Sequence, residues 1–299
     1  RIPLIVVNGA HDGPRLWLSA VIHGPEATGT EVARRVLREK IDPGQLHGSI
    51  VCVPIANPLA FQDSTYGTPY DGYNLNRVFP GNPNGSITHR MAAALYAEAK
   101  KCDFILDLHA NPVPALQFCI VAHAPDPKVV ARSFEIGRAF GLTTRLMKAA
   151  EEAQWATSRS GTLLEVAARD GIPGCIAELL YWYRIDPGSV EVGTRGVLNI
   201  MKALGMISGE NEKQDVFVID GELAGSEQTC NEGGLVYFSK QVGDTVAEGE
   251  TVAIVRDPYG DVLEEVKAPV TGWLTAYPLN SNQAVTSGDT VAFFVYRKS

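Results

Sequence analysis

Short apolar runs alternate with longer segments of helical period through the first two hundred residues, the pattern of an α/β domain. The runs Leu4–Val7, Leu16–Ile22, Ser49–Ile55, Phe104–Leu108, Gln117–Val121 and Gly174–Glu178 predict strands. They are apolar throughout rather than alternating, so the strands are expected to lie buried between helices. Helices are predicted over Thr30–Lys40, Thr88–Lys101, Asp126–Phe140, Leu163–Asp170 and Pro187–Leu204. Pro127 opens one of them, while Gly171 and Gly205 close two others. In the first helix Val32, Val36 and Leu37 fall on one face, which must therefore rest on a sheet. Between Ile55 and Ser86 the chain is rich in Pro, Gly, Asn and Tyr and has no period. A loop that long inside a compact domain is usually functional.

Past Gly205 the pattern changes to short strand-like runs punctuated by glycine, which places a boundary there: an α/β domain over 1–208 and an all-β domain over 209–299. The second part contains a repeat. Gly249-Glu-Thr-Val-Ala253 returns as Gly288-Asp-Thr-Val-Ala292, and Gly234-Leu-Val as Gly272-Trp-Leu. Two similar sets of hairpins predict a small β-sandwich with pseudo-twofold symmetry.

Composition excludes several classes. The 299 residues are 45% apolar and 20% charged, an ordinary globular mixture. With 26 basic and 34 acidic side chains the net charge is −8, without long runs of one sign, which argues against nucleic-acid or anionic-membrane partners. No apolar stretch approaches the ~20 residues that span a bilayer. The chain does not begin with Met, and nothing near Arg1 resembles a signal peptide. Five scattered cysteines with no CxxC pair fit a reducing, cytoplasmic compartment.

Four stretches carry candidate chemistry. His23-Gly-Pro-Glu26 lies where an apolar strand ends and a helix begins, so an imidazole and a carboxylate can converge on one cation. The same residues also fit a strand-end side chain and an acid at a helix N-terminus. Phe104–His109 repeats the arrangement, and open α/β sheets place ligands at that edge. His23, Glu26 and His109 together would make a catalytic zinc set with one position open. Asp107 shares a strand face with His109 and can steady it, or serve as a buried backbone partner. Asn76 and Arg77 offer amide and guanidinium donors suited to a carboxylate. Glu178 ends another strand, where a carboxylate beside a metal-activated water can shuttle a proton.

The ordered set HGPE, NPLAFQ, DGYNLNRVFPG, DLHAN and IPGCIAEL resembles the succinylglutamate desuccinylase/aspartoacylase family, from residue 4 to about residue 207. The resemblance implies a zinc-carboxypeptidase-like sheet flanked by helices and followed by a small all-β, barrel-sandwich-like domain. It implies one zinc per chain held by His23, Glu26 and His109, with Glu178 as general base and Asn76 and Arg77 binding the substrate carboxylate. The expected activity is amide hydrolysis of a small N-acyl amino acid, leaning to acetyl-diaminobutyrate. A carboxypeptidase or a nonenzymatic metal-binding module would use the same residues. One departure stands out: family members commonly carry an oxyanion-stabilising arginine shortly before the Asn-Arg pair, and here Asn57 to Asn76 contains none. The alternatives are the zinc itself, another arginine such as Arg159, or a tyrosine such as Tyr181 or Tyr183. The tail also resembles biotinyl and lipoyl carriers, but about Asp261 stands where their lysine would be, and Arg256–Leu263 has no lysine. The tail is therefore expected to be a structural cap or a contact between copies in a homo-oligomer.

Overall fold

The computed structural model describes residues 1–147, 161–277 and 284–297. The chain forms two compact units: Arg1–Ala110 with Gln117–Val218, and Asn111–Leu116 with Ile219–Ser299.

The first unit contains β1 (Ile5–Asn8), β2 (His11–Ala20), β3 (His47–Val53), β4 (Phe104–Asn111), β5 (Phe118–Val121), β6 (Thr143–Leu146) and β7 (Gly174–Leu180). Their order across the sheet is β1-β3-β2-β4-β7-β5-β6. Strands β3, β2 and β4 run parallel, whereas β1 pairs with β3 and β5 with β7 in the antiparallel sense. The helices are α1 (Thr28–Arg35), α2 (Pro58–Asp63), α3 (Ile87–Ala99), α4 (Pro127–Phe140), α5 (Leu163–Arg169) and α6 (Pro187–Ala203).

Strand parity divides the core. Leu16, Leu18 and Ala20 pack with Val32 of α1, Phe140 of α4 and Ile200 of α6. Trp17, between them, faces the other way, into a cluster with Leu95 of α3 and Val166 of α5. Both faces of the sheet are thus covered, which is why its strands read as unbroken apolar runs. Each such side chain contributes roughly 1.5–3 kcal/mol by leaving water. The expected fold class is the one observed.

Several bounds differ from the sequence reading. Strand β2 starts at His11 rather than Leu16, because its exposed first half pairs with the edge of β3 at His47. Helix α1 starts at Thr28, and its last turn, Val36–Lys40, widens to a π-turn. The aperiodic stretch after Ile55 contains α2, whose start is fixed by Asn57 capping Ala60 N and by Pro58. Strand β6 was not expected: Thr143, Thr144 and Arg145 are polar, yet all are buried.

The second unit contains β8 (Leu223–Thr229), β9 (Gly234–Phe238), β10 (Thr245–Val246), β11 (Thr251–Arg256), β12 (Val262–Lys267), β13 (Gly272–Ala276), β14 (Ala284–Val285) and β15 (Thr290–Arg297). They form two layers, β8-β15-β13-β10 and β12-β11-β9-β14, around Val236, Val252, Val255, Leu274, Val291 and Phe294. The repeated motif makes the same turn twice. Glu250 accepts from Ala247 N at 2.9 Å, and Asp289 accepts from Thr286 N at 2.8 Å. Among the described residues no helix is long and apolar enough to cross a membrane. All five cysteines are buried as free thiols.

Candidate active site

Two parallel central strands deliver the histidines to one edge of the sheet. Ala20 of β2 lies opposite Leu108 of β4, so His23, just past β2, and His109, near the end of β4, emerge together. The path to His23 is forced. Val21 adopts φ +56°, a left-handed conformation that costs a β-branched residue of order 1–3 kcal/mol, and Asn57 N binds its carbonyl at 2.9 Å. The turn then closes through Glu26 N to His23 O at 3.2 Å, bringing the carboxylate back beneath the imidazole. Gly24 is required here, because a Cβ would sit 2.0 Å from Ala60 O.

His23 Nδ1 lies 2.8 Å from Glu26 Oε1, and His109 Nδ1 lies 3.1 Å from Glu26 Oε2. The three side chains are buried, and their donor atoms fall within 4.8 Å of one another. The second contact is poorly aligned, and Glu26 Oε2 has no hydrogen-bond partner. The outer nitrogens are occupied: His109 Nε2 by Asp107 Oδ2 at 2.9 Å, His23 Nε2 by Asn74 Oδ1 at 3.2 Å. Acceptors on both Nε2 atoms fix the protons there and leave both Nδ1 lone pairs aimed inward. Two inward imidazoles and an orphaned buried carboxylate oxygen suit a divalent cation.

Electrostatics point the same way. Burial alone would raise Glu26, but the charges of His23 and His109 overcome it and hold the carboxyl at about 2. Burial likewise works against His109, yet Asp107 and Glu26 lift it well above the usual histidine range. Glu178, on β7 next to β4, keeps some exposed surface, but its carboxyl is deep enough for burial to raise it to about 7. The negative charges of Glu26 and Asp107 add to that shift, while His109 and Arg145 oppose it.

Asn76 and Arg77 lie on a short 3₁₀ turn, Leu75–Arg77, that Asn74 caps through Asn76 N at 2.8 Å. Asn76 Oδ1 accepts from Leu163 N at 2.9 Å, and its Nδ2 lies 3.5 Å from His109 Nε2. Arg77 Nη1 donates to the carbonyl of Asn76 at 2.7 Å, which orients the guanidinium. Gly161, at φ +79°, comes so close that a Cβ would lie 2.6 Å from Arg77 O.

Three neighbours escaped the sequence reading. Asn74 holds His23, and the Asn-x-Asn spacing of an Asx turn was its available signal. Tyr66 stacks on His23 with ring centroids 3.9 Å apart and planes 13° from parallel. Trp182 lies 5.7 Å from Tyr66 and donates Nε1–H to Ala110 O at 2.6 Å. Tyr181 and Tyr183 flank Trp182, both at positive φ. Tyr181 packs under the Arg184 guanidinium at 3.9 Å, and Tyr183 is 65% exposed. Arg159 lies outside the described residues.

A parallel-centred α/β sheet gathers His23, Glu26 and His109 at one edge, where they could hold a metal ion; the chain belongs to the succinylglutamate desuccinylase/aspartoacylase family, hydrolases that act on amide bonds. The profile of that family's catalytic domain matches residues 12–204. The N-alpha-acetyl-L-2,4-diaminobutyric acid deacetylase of Halomonas elongata is 28% identical over 301 residues, covering 97% of this chain and 84% of that protein. The crystal structure of a succinylglutamate desuccinylase/aspartoacylase from Rhodobacter sphaeroides superposes with TM-score 0.85 at 25% identity, covering 100% of this chain and 89% of the other. The product-bound ectoine utilization protein EutE (DoeB) of Ruegeria pomeroyi shares the fold, with TM-score 0.85 at 22% identity over 98% of this chain and 88% of that one.

Proposed function

We propose that the chain is a zinc-dependent amidohydrolase that removes a small acyl group from an N-acyl amino acid, of the acetyl-diaminobutyrate type. The observation that carries this reading is the buried convergence of His23, Glu26 and His109 beside Glu178. The 28% identity to the Halomonas deacetylase, which covers 97% of this chain and 84% of that protein, favours the diaminobutyrate type.

His23, Glu26 and His109 would hold the ion. Zinc bound there supplies Lewis acidity, acidifying water toward a pKa of ~7 and polarising an amide carbonyl. Glu178 takes a proton from the attacking water and returns it to the amide nitrogen as the C–N bond breaks, releasing a carboxylate and a free amine. Its raised pKa suits a group that must both accept and donate near neutrality. Arg77 and the Nδ2 of Asn76 bind the substrate carboxylate, so the distance from that carboxylate to the scissile bond selects the substrate. Asp107 and Asn74 keep the two imidazoles in the ligating tautomer.

The test is release of amine from N-acetyl and N-succinyl amino acids, including N-acetyl-diaminobutyrate, by purified protein of measured zinc content. About one zinc per chain and activity abolished by a chelator are expected. Release of C-terminal residues from peptides, with no action on acylated amino acids, would replace this reading by a carboxypeptidase. Metal binding without turnover would replace it by a nonenzymatic module.

A further inference from the structure

Hydrolysis of an amide passes through a tetrahedral carbon whose oxygen gains negative charge, and removing one donor aimed at that oxygen costs about 10²- to 10³-fold in kcat. The geometry points to the hydroxyl of Tyr66 as this donor, a role that rests on the amidohydrolase reading above.

Local structure carries Tyr66 to the site. Ser64 ends α2 in the left-handed conformation, at φ +52°, and Thr65 N returns to Ala60 O at 3.0 Å. The loop is then stitched to the His23 turn by Gly24 N donating to Thr65 O at 2.9 Å. The close approach that excludes a side chain at Gly24 is therefore also what sets Tyr66 flat on His23. The stacking sets the ring directly against His23, with planes 13° from parallel, and the hydroxyl stands at the end of the ring away from the backbone. The charged groups that act on this hydroxyl are Arg77, Glu26, His109 and Glu178. They are the substrate-carboxylate clamp, two of the ion's ligands and the base, the groups that must surround the scissile carbonyl.

Other donors fit less well. Arg77 is assigned to the substrate carboxylate, and the chain from Asn57 to Asn76 offers no arginine. Tyr181 is taken up by Arg184, and Tyr183, 65% exposed against 44% for Tyr66, stands further out in solvent. The Tyr66 hydroxyl, which burial pushes above the usual phenol range, carries its proton at neutral pH and so remains a donor.

The test compares wild type with Tyr66→Phe, which keeps the stacked ring and removes only the hydroxyl. Zinc content, kcat and KM on the preferred N-acyl amino acid are measured. So is the Kd, by calorimetry, of two probes: a phosphonate isostere of the substrate, which mimics the tetrahedral anion, and the product amino acid. Expected are unchanged zinc content, KM and product affinity within about threefold, kcat lower by about 10²-fold, and phosphonate affinity lower by at least about tenfold. Unchanged kcat and phosphonate affinity in an active enzyme would overturn the assignment to Tyr66 alone. Loss of zinc in the variant would also overturn it, making Tyr66 a support for His23. A zinc-loaded wild type inert on every acylated amino acid would overturn the hydrolase reading, and this inference with it.

Discussion

Asp107 accepts the Nε2–H of His109 at 2.9 Å, and it is itself held from behind, by Ser19 Oγ at 2.7 Å. Ser19 accepts in turn from Trp17 Nε1 at 2.9 Å. Asp107 thus sets which nitrogen of His109 stays unprotonated. Asp107→Asn, which keeps the shape but removes the charge, is expected to weaken zinc binding by about 10- to 100-fold. Competition against a chelator of known affinity measures this directly, and affinity within twofold of wild type would remove Asp107 from the site's design.

Glu178→Gln preserves volume but cannot accept a proton. Turnover is expected to fall by about 10²- to 10⁴-fold while zinc content stays at the wild-type level. Metal analysis and steady-state kinetics on the same preparation separate loss of the base from loss of the ion. Retained turnover would end the role assigned to this carboxylate.

Arg77→Lys tests whether planar recognition of the substrate carboxylate matters. An ammonium keeps the charge but not the fork, so KM is expected to rise by roughly 10- to 100-fold with a smaller change in kcat. An unchanged KM would place the carboxylate elsewhere.

Stability of the zinc-free protein is expected to depend on pH in two opposite senses. Burial holds Glu178 at about 7, against an ordinary value of 4.5, so its native state keeps a proton that the unfolded chain has lost. Stability from this group is complete below 4.5 and falls as pH rises from 4.5 through 7. Glu26, held at about 2 by His23 and His109 against its own burial, contributes fully above 4.5 and loses that contribution as pH falls toward 2. Melting of chelator-treated wild type and Glu178→Gln between pH 4.5 and 8 checks the first half. The Tm difference should shift in favour of the variant as pH rises, and a constant difference would contradict it.

What could be read from the sequence follows from periodicity. His23 and His109 each close an apolar run, and parallel strands end at a common edge, so two residues far apart in the chain could be paired in advance. Asp107 followed from the two-residue period of a strand. Asn74 and Tyr66 come instead from an aperiodic loop, and their positions depend on the left-handed turn at Ser64 and on the missing Cβ at Gly24. Strand β6 escaped for a related reason: Thr143, Thr144 and Arg145 look like solvent-facing residues and are nevertheless buried. The repeat in the tail was legible because a carboxylate at the same place, Glu250 in one copy and Asp289 in the other, caps the same turn.

Val21 illustrates what such a site demands of its scaffold. Its side chain is fully enclosed while its backbone occupies a region where glycine or asparagine would be at ease. Glycine would relax the dihedral and vacate interior volume, asparagine would suit the dihedral and bury an amide, and a larger aliphatic would crowd its neighbours. No replacement satisfies both requirements at once, so the position two steps before the first imidazole is a compromise that directed evolution for thermal endurance should find hard to improve.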